Sequence, residues 1–201
     1  MKFRHLPVLL GLMLMVSPAF AQIVFDDANG NASSDGANPT NVVFNLGSNI
    51  INGTVTSPAN TRNFYTFTVG AGQELSAINL DAIGVTTAAG APSNDPGFYA
   101  LVSGTTSTNP GAGFANLGGG LFSPANLNND LLGIATAQST GGTGVPSPVG
   151  AGDYTFVIQQ TGDEVSSFSL DFVVTSAIPE PSSAVLLSGL TLLGLVRRRR
   201  S

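Results

Sequence analysis

Tyr154-Thr155-Phe156-Val157-Ile158-Gln159 and Phe168-Ser169-Leu170-Asp171-Phe172-Val173-Val174 decide the fold. In the first, Tyr154, Phe156 and Ile158 alternate with Thr155, Val157 and Gln159. In the second, Phe168, Leu170, Phe172 and Val174 alternate with Ser169, Asp171 and Val173. A period of two puts successive side chains on opposite faces of a strand. Each segment therefore offers one apolar face to a core and one mostly polar face to water. Thr161-Gly162-Asp163-Glu164 lies in the connection between them.

Upstream the same rhythm repeats. Asn63 to Val69 places Tyr65, Phe67 and Val69 on one face and Thr66 and Thr68 on the other. Gly70-Ala71-Gly72 turns the chain, and Leu75 to Asp81 resumes as a strand with Ile78 and Leu80 inward. Phe98 to Val102 and Leu131 to Thr136 are predicted as further short strands, and Ile23-Val24-Phe25 as a leading strand or arm. Val42-Val43-Phe44 and Ile50 to Val55, split by Gly47-Ser48-Asn49, have hairpin-like spacing. Gly84 to Gly97, Asn109 to Asp130 and Ser139 to Gly150 read as long glycine- and asparagine-rich surface insertions. No body segment carries a sustained helical stripe. The expectation is an all-β fold, an antiparallel β-sandwich or jelly-roll.

The two ends of the chain differ from this body. Met1 to Ala21 has Lys2 and Arg4, an apolar run from Leu6 to Val16, and Ala19-Phe20-Ala21, an A-x-A cleavage site. It reads as a signal peptide, residues 1–21, handled by the export translocon and signal peptidase and leaving Gln22 first. The other end, residues 179–201, runs Pro179-Glu180-Pro181, an apolar stretch from Ser182 to Val196, then Arg197, Arg198, Arg199 and Arg200. Fifteen helical residues reach about 22 Å, short of a hydrocarbon core of roughly 30 Å, and arginines extend that reach by snorkelling. The expectation is a single short transmembrane helix, with its arginines held on the cytoplasmic side and the body outside.

Between these ends lies one domain, residues 22–178, with eleven acids against Arg62 alone, a formal charge of −10. Nucleic-acid binding needs clustered Lys and Arg, so that class is excluded, and anionic lipid surfaces are disfavoured. The chain has no cysteine, and its one histidine, His5, is in the leader. With Lys2 the only lysine, the body has no Cys, His or Lys. Thiol, Ser-His-Asp, serine–lysine and Schiff-base chemistry are all excluded. Carboxylate-pair hydrolysis survives, with Asp81, Asp95, Asp130, Asp153, Asp163, Glu164 and Asp171 as candidates. Solubilising surface charge explains each of these, there is no tryptophan to form a sugar platform, and the expectation is that the protein is not an enzyme. Arg62 could fork onto a partner's carboxylate; more simply, it pairs with a nearby acid or lies in solvent.

Asp27, Asn29 and Asn31 occupy the first, third and fifth positions of a calcium-loop pattern. Ala32 stands where such a loop wants its glycine, and Asn38 where it wants a bidentate glutamate. Calcium is thus a candidate cofactor at this loop, against the alternative of a polar surface turn.

Two resemblances rest on these residues. Pro179-Glu180-Pro181, the short apolar run and the arginine cluster together resemble a PEP-CTERM sorting signal. The resemblance implies an exported bacterial protein, recognised and cut at its tail by the membrane enzyme exosortase. Gly53-Thr54-Val55, the Asn63 to Val69 strand with Gly70-Ala71-Gly72-Gln73, and Ala151-Gly152-Asp153-Tyr154-Thr155-Phe156-Val157-Ile158 resemble bacterial pre-peptidase C-terminal domains. That resemblance implies sandwich strands with an "aGq" turn after an aromatic strand. Together they imply a structural or adhesive envelope protein associated with extracellular polysaccharide. The alternative is a calcium- or glycan-binding surface module.

Overall fold

The computed structural model describes residues 20–58, 61–108, 117–137, 147–160 and 162–177. Nine strands and one short α-helix, with single 3₁₀ turns at Asp27–Asn29 and Pro124–Asn126, order the described residues: β1 (Gln22–Asp26), β2 (Thr40–Asn41), β3 (Gly47–Thr56), β4 (Arg62–Val69), β5 (Gln73–Thr87), β6 (Gly97–Ser103), β7 (Gly118–Phe122), α1 (Leu131–Ala137), β8 (Gly152–Gln159) and β9 (Glu164–Ser176). One sheet has the order β1-β3-β9-β5 and the other β2-β4-β8-β6-β7. The fold is all-β. The two segments that decided it, β8 and β9, lie in different sheets.

Alternation explains why the sheets meet. Ile51, Leu80, Leu170 and Phe172 of the first sheet share a single core with Tyr65, Phe67, Tyr99 and Phe156 of the second, all at 0–2% exposure. Phe172 is its centre, with ring centroids 5.0 Å from Phe44, 5.2 Å from Phe156 and 5.6 Å from Phe67. The edge-on approach to Phe156, at 90°, directs ring edge onto ring face, which aromatic quadrupoles favour.

Several local expectations give way to tertiary forces. The sheets are mixed, not purely antiparallel: β1 runs parallel to β3, and β2 parallel to β4. The N-terminal arm thus ties an edge of each sheet. Val42-Val43-Phe44 does not form a hairpin with β3. It crosses from one sheet toward the other, with Val42 buried and donating its N–H to Thr66 O, and Phe44 stacked on Phe67 at 4.5 Å. Leu131 to Thr136 is helical, not a strand. Asp130 caps it by accepting the N–H groups of Leu132 and Gly133 at 2.9 and 3.3 Å, while Leu131 and Leu132 fill the core.

Gly118-Gly119-Gly120 opens β7 instead of lying in an insertion. A Cβ at Gly119 would sit 2.3 Å from Tyr99 O, so only glycine lets this strand lie against β6. The strand expected to stop near Asp81 runs on through Gly84 to Thr87, since Thr87 still pairs with Glu164 of β9. Its outer edge is met by Val149, by Asn128 and Asn129, and by Ala91 and Ser93 through backbone hydrogen bonds of 2.8–3.1 Å. Covering a long edge in this way blocks strand-to-strand aggregation.

A second apolar cluster, Phe64, Ala100 and Val157 with Phe98 against it, forms on the outer face of the five-stranded sheet. The segment 33–36 straps over it: Phe64 N–H donates to Ser33 O, and Ser107 N–H to Gly36 O. A Cβ on Gly36 would lie 1.9 Å from Ser107 O, which accounts for glycine there.

Candidate functional site

The N-terminal arm supplies the loop in which calcium ligands were expected. After β1 the chain makes one tight turn, Asp27–Asn29, capped by Asp26 accepting the Ala28 N–H at 2.9 Å. Asn29 and Asn31 are exposed and line a groove with Asp26. Asp27 instead docks onto β3, where Oδ2 accepts the Thr54 N–H, and it lines a separate groove of about 490 Å³ with Asn52, Ser167 and Ser169. Its Oδ1 is buried without a hydrogen-bond partner. Burial raises its pKa above the ordinary carboxylate value, the amides of Thr54 and Ala32 pull it back, and the Asp26 charge adds to the rise. The structure thus places Asn29 and Asn31 at one groove and Asp27 at another, with Asp26 lining both.

The seven carboxylates considered for hydrolysis take different places. Asp130 accepts three N–H groups, from Ile78, Leu132 and Gly133, and so pins α1 to β5. Asp153 accepts from Thr68 Oγ1 at 2.6 Å. Asp171 accepts from Ser48 Oγ at 2.6 Å and Asn49 N at 3.0 Å, and its charge helps burial raise the pKa of Asp81. Arg62 donates Nε to the amide oxygen of Gln159 at 2.9 Å, a neutral partner where an acid or solvent was expected.

Asp95 neighbours Glu164 closely enough to act on its carboxyl. Extending the alternation of β9 backward from Phe168 puts Ser166 and Glu164 on the core-facing side, and they are 0% and 8% exposed. The alternation carries this signal, although the turn-like composition of Thr161-Gly162-Asp163-Glu164 points to a connection before the strand. Burial, the neighbouring Asp95 carboxyl and the Asp163 charge all hold the Glu164 carboxyl above its ordinary range. Among the described residues, no three acidic, histidine or cysteine side chains converge where they could hold a metal ion.

At its other end β9 hands the chain to the tail. Gln73 pairs with Ser176, and Ala177 N–H donates to Gly72 O at 2.9 Å. Gly72, at φ +73°, makes the turn, while Gln73 closes it with its own N–H on Gly70 O and its Oε1 on Gly70 N–H. Ala19 of the cleavage site and Pro179, Glu180, Pro181 and Arg197 to Arg200 lie outside the described residues, as does the apolar run; Ala21 directly precedes β1. Among the described residues, no helix is long and apolar enough to cross a membrane.

Residues 177–200 match the PEP-CTERM protein-sorting motif. The match begins one residue after β9 ends at Ser176. The motif marks an exported protein that exosortase sorts to the cell envelope or surface. No curated protein is similar enough in sequence to count as a relative.

Proposed function

We propose that this chain is a non-enzymatic envelope or extracellular-matrix protein whose body works by being displayed. Its N-terminal 21 residues serve as a signal peptide, and its tail rests transiently in the inner membrane as a short helix until exosortase acts. The body is a β-sandwich of pre-peptidase C-terminal type, structural or adhesive in its association with extracellular polysaccharide. The observation that carries this reading is the sorting motif joined directly to an acidic body whose mature part lacks Cys, His and Lys. Replacing Pro179-Glu180-Pro181 with three alanines tests it by cell fractionation. The variant is expected to stay unprocessed in the inner membrane, and unaltered processing and release would contradict the sorting role.

A second reading, a calcium-binding surface module, draws on two buried carboxylate oxygens without hydrogen-bond partners, Asp27 Oδ1 and Glu164 Oε2. Buried charges persist when they are paired or ligate a metal. Calcium that binds only the folded body would raise its melting temperature by mass action.

A further inference from the structure

The chain contains two Asn-Gly steps, Asn29-Gly30 and Asn52-Gly53, and the fold treats them in opposite ways. Such a step is open to attack on itself, because glycine has no Cβ to shield its backbone nitrogen from the asparagine side chain. Asn52-Gly53 is held inside β3. Asn52 pairs with Asp26 of β1 on one side and Ser169 of β9 on the other, and its Nδ2 donates to Asp26 Oδ2 at 3.4 Å. Gly53 is buried opposite Phe168, and a Cβ there would lie 2.6 Å from the Phe168 ring. Asn29-Gly30 instead ends the 3₁₀ turn after β1. Both residues are exposed and line an open groove with Asp26 and Asn31. Beyond its chain neighbours, no heavy atom lies within 4 Å of where a Gly30 Cβ would stand. The Gly30 N–H is held by a 3.2 Å bond to Asp27 O at the last position of the turn.

Ring closure needs the glycine nitrogen to reach the asparagine Cγ. In β3 that means breaking a ladder paired on both sides, whereas at the turn it means opening one terminal hydrogen bond, which costs little. We propose that Asn29 is a site of spontaneous deamidation in the folded protein, and that its position in β3 protects Asn52. The Gly30 nitrogen gives up its proton to water and bonds to Asn29 Cγ. The Cγ–Nδ2 bond breaks, and the side-chain nitrogen takes up a proton and leaves as ammonia. Water then opens the succinimide at one of its two carbonyls, leaving aspartate, or isoaspartate with the backbone running through Cγ. Either product puts a new carboxylate beside Asp26, in a body whose formal charge is already −10. Isoaspartate also lengthens the backbone of the turn and loosens its closure on Asp27 O. That turn belongs to the arm that ties an edge of each sheet, so ageing of the folded body begins at the arm.

The test ages the full chain, purified in detergent, in warm and mildly alkaline buffer made with heavy-oxygen water. Chymotryptic peptides are then sequenced by mass spectrometry, and the heavy oxygen marks only carboxylates formed during the ageing. In the folded protein Asn29 is expected to convert on the order of 100-fold faster than Asn52, which reacts only when β3 opens. In urea the two should convert at similar rates, since the fold and not the dipeptide sets the difference. Equal labelling of Asn29 and Asn52 in the folded chain overturns the proposal. So does an unlabelled Asn29 in folded protein whose urea control has labelled both. Aged wild type should also melt below fresh protein, while Asn29→Gln holds its melting temperature. An equal drop in Asn29→Gln would overturn the arm's part in the ageing.

Discussion

The two ends of β9 are built on opposite principles. At its C-terminal end polar groups find partners within the chain: Ala177 meets Gly72, Gln73 closes its turn on Gly70, and Thr175 donates to Glu74. At its N-terminal end an acid sits on a core-facing position with a second acid against it and one oxygen unpartnered. The first end is finished by the protein itself, and the chain simply passes on into the sorting motif. One strand thus joins a satisfied turn beside the sorting motif to an end that keeps an acid out of water.

The comparison breaks first if the ends are not parts of one cooperative unit. Phe172, midway along the strand and 0% exposed, contacts three aromatic rings. Phe172→Ala should cost about 3–5 kcal/mol in urea unfolding and lower the stability of both ends in a single transition. Two separate transitions would show that the ends fold independently.

Asp130 sharpens it next, as a carboxylate that already has its donors. Asp130→Ala strands the N–H groups of Ile78, Leu132 and Gly133 and should cost about 2 kcal/mol in urea unfolding. An unchanged midpoint would show that these three N–H groups find other acceptors. At the tail end, Gln73→Ala gives up the Gly70 contact and should cost about 0.5–1 kcal/mol by the same measurement.

The smallest effect is in the pH profile. Burial raises the folded-state pKa of Glu164 above its ordinary value of 4.5, and Asp95 raises it further. The folded form therefore holds its proton more tightly than the unfolded one. Stability is full below the unfolded value and falls as pH rises through the folded one. Burial shifts Asp27 and Asp81 the same way, so chelated protein should melt higher at pH 5 than at pH 7. Glu164→Gln should flatten part of that slope. A slope unchanged in the variant would place the titration at Asp27 and Asp81 alone.

The strands around the core were legible because alternation is a local signal: Tyr65, Phe67, Phe156, Leu170 and Phe172 all face inward as their spacing dictates. What stayed hidden depends on partners distant in sequence. Leu131 to Ala137 became helical because Asp130 caps it, and the Gly118 strand formed because Tyr99 leaves room only for glycine. The parallel pairing of β1 and β2 needs the whole arm to cross between sheets, which no window of residues encodes. Glu164 was half-legible: its spacing from Phe168 is a core spacing, but its charge argued for a turn. Its meeting with Asp95, 69 positions away in the chain, needs the fold-back after Thr87.

The claim on which the rest depends is that the body is freight between two addresses. Mass spectrometry of the intact protein recovered from the envelope or medium of its producing cells tests it directly. The account predicts a chain that begins at Gln22 and has lost Arg197 to Arg200. A chain running unbroken from Met1 to Ser201 would contradict it.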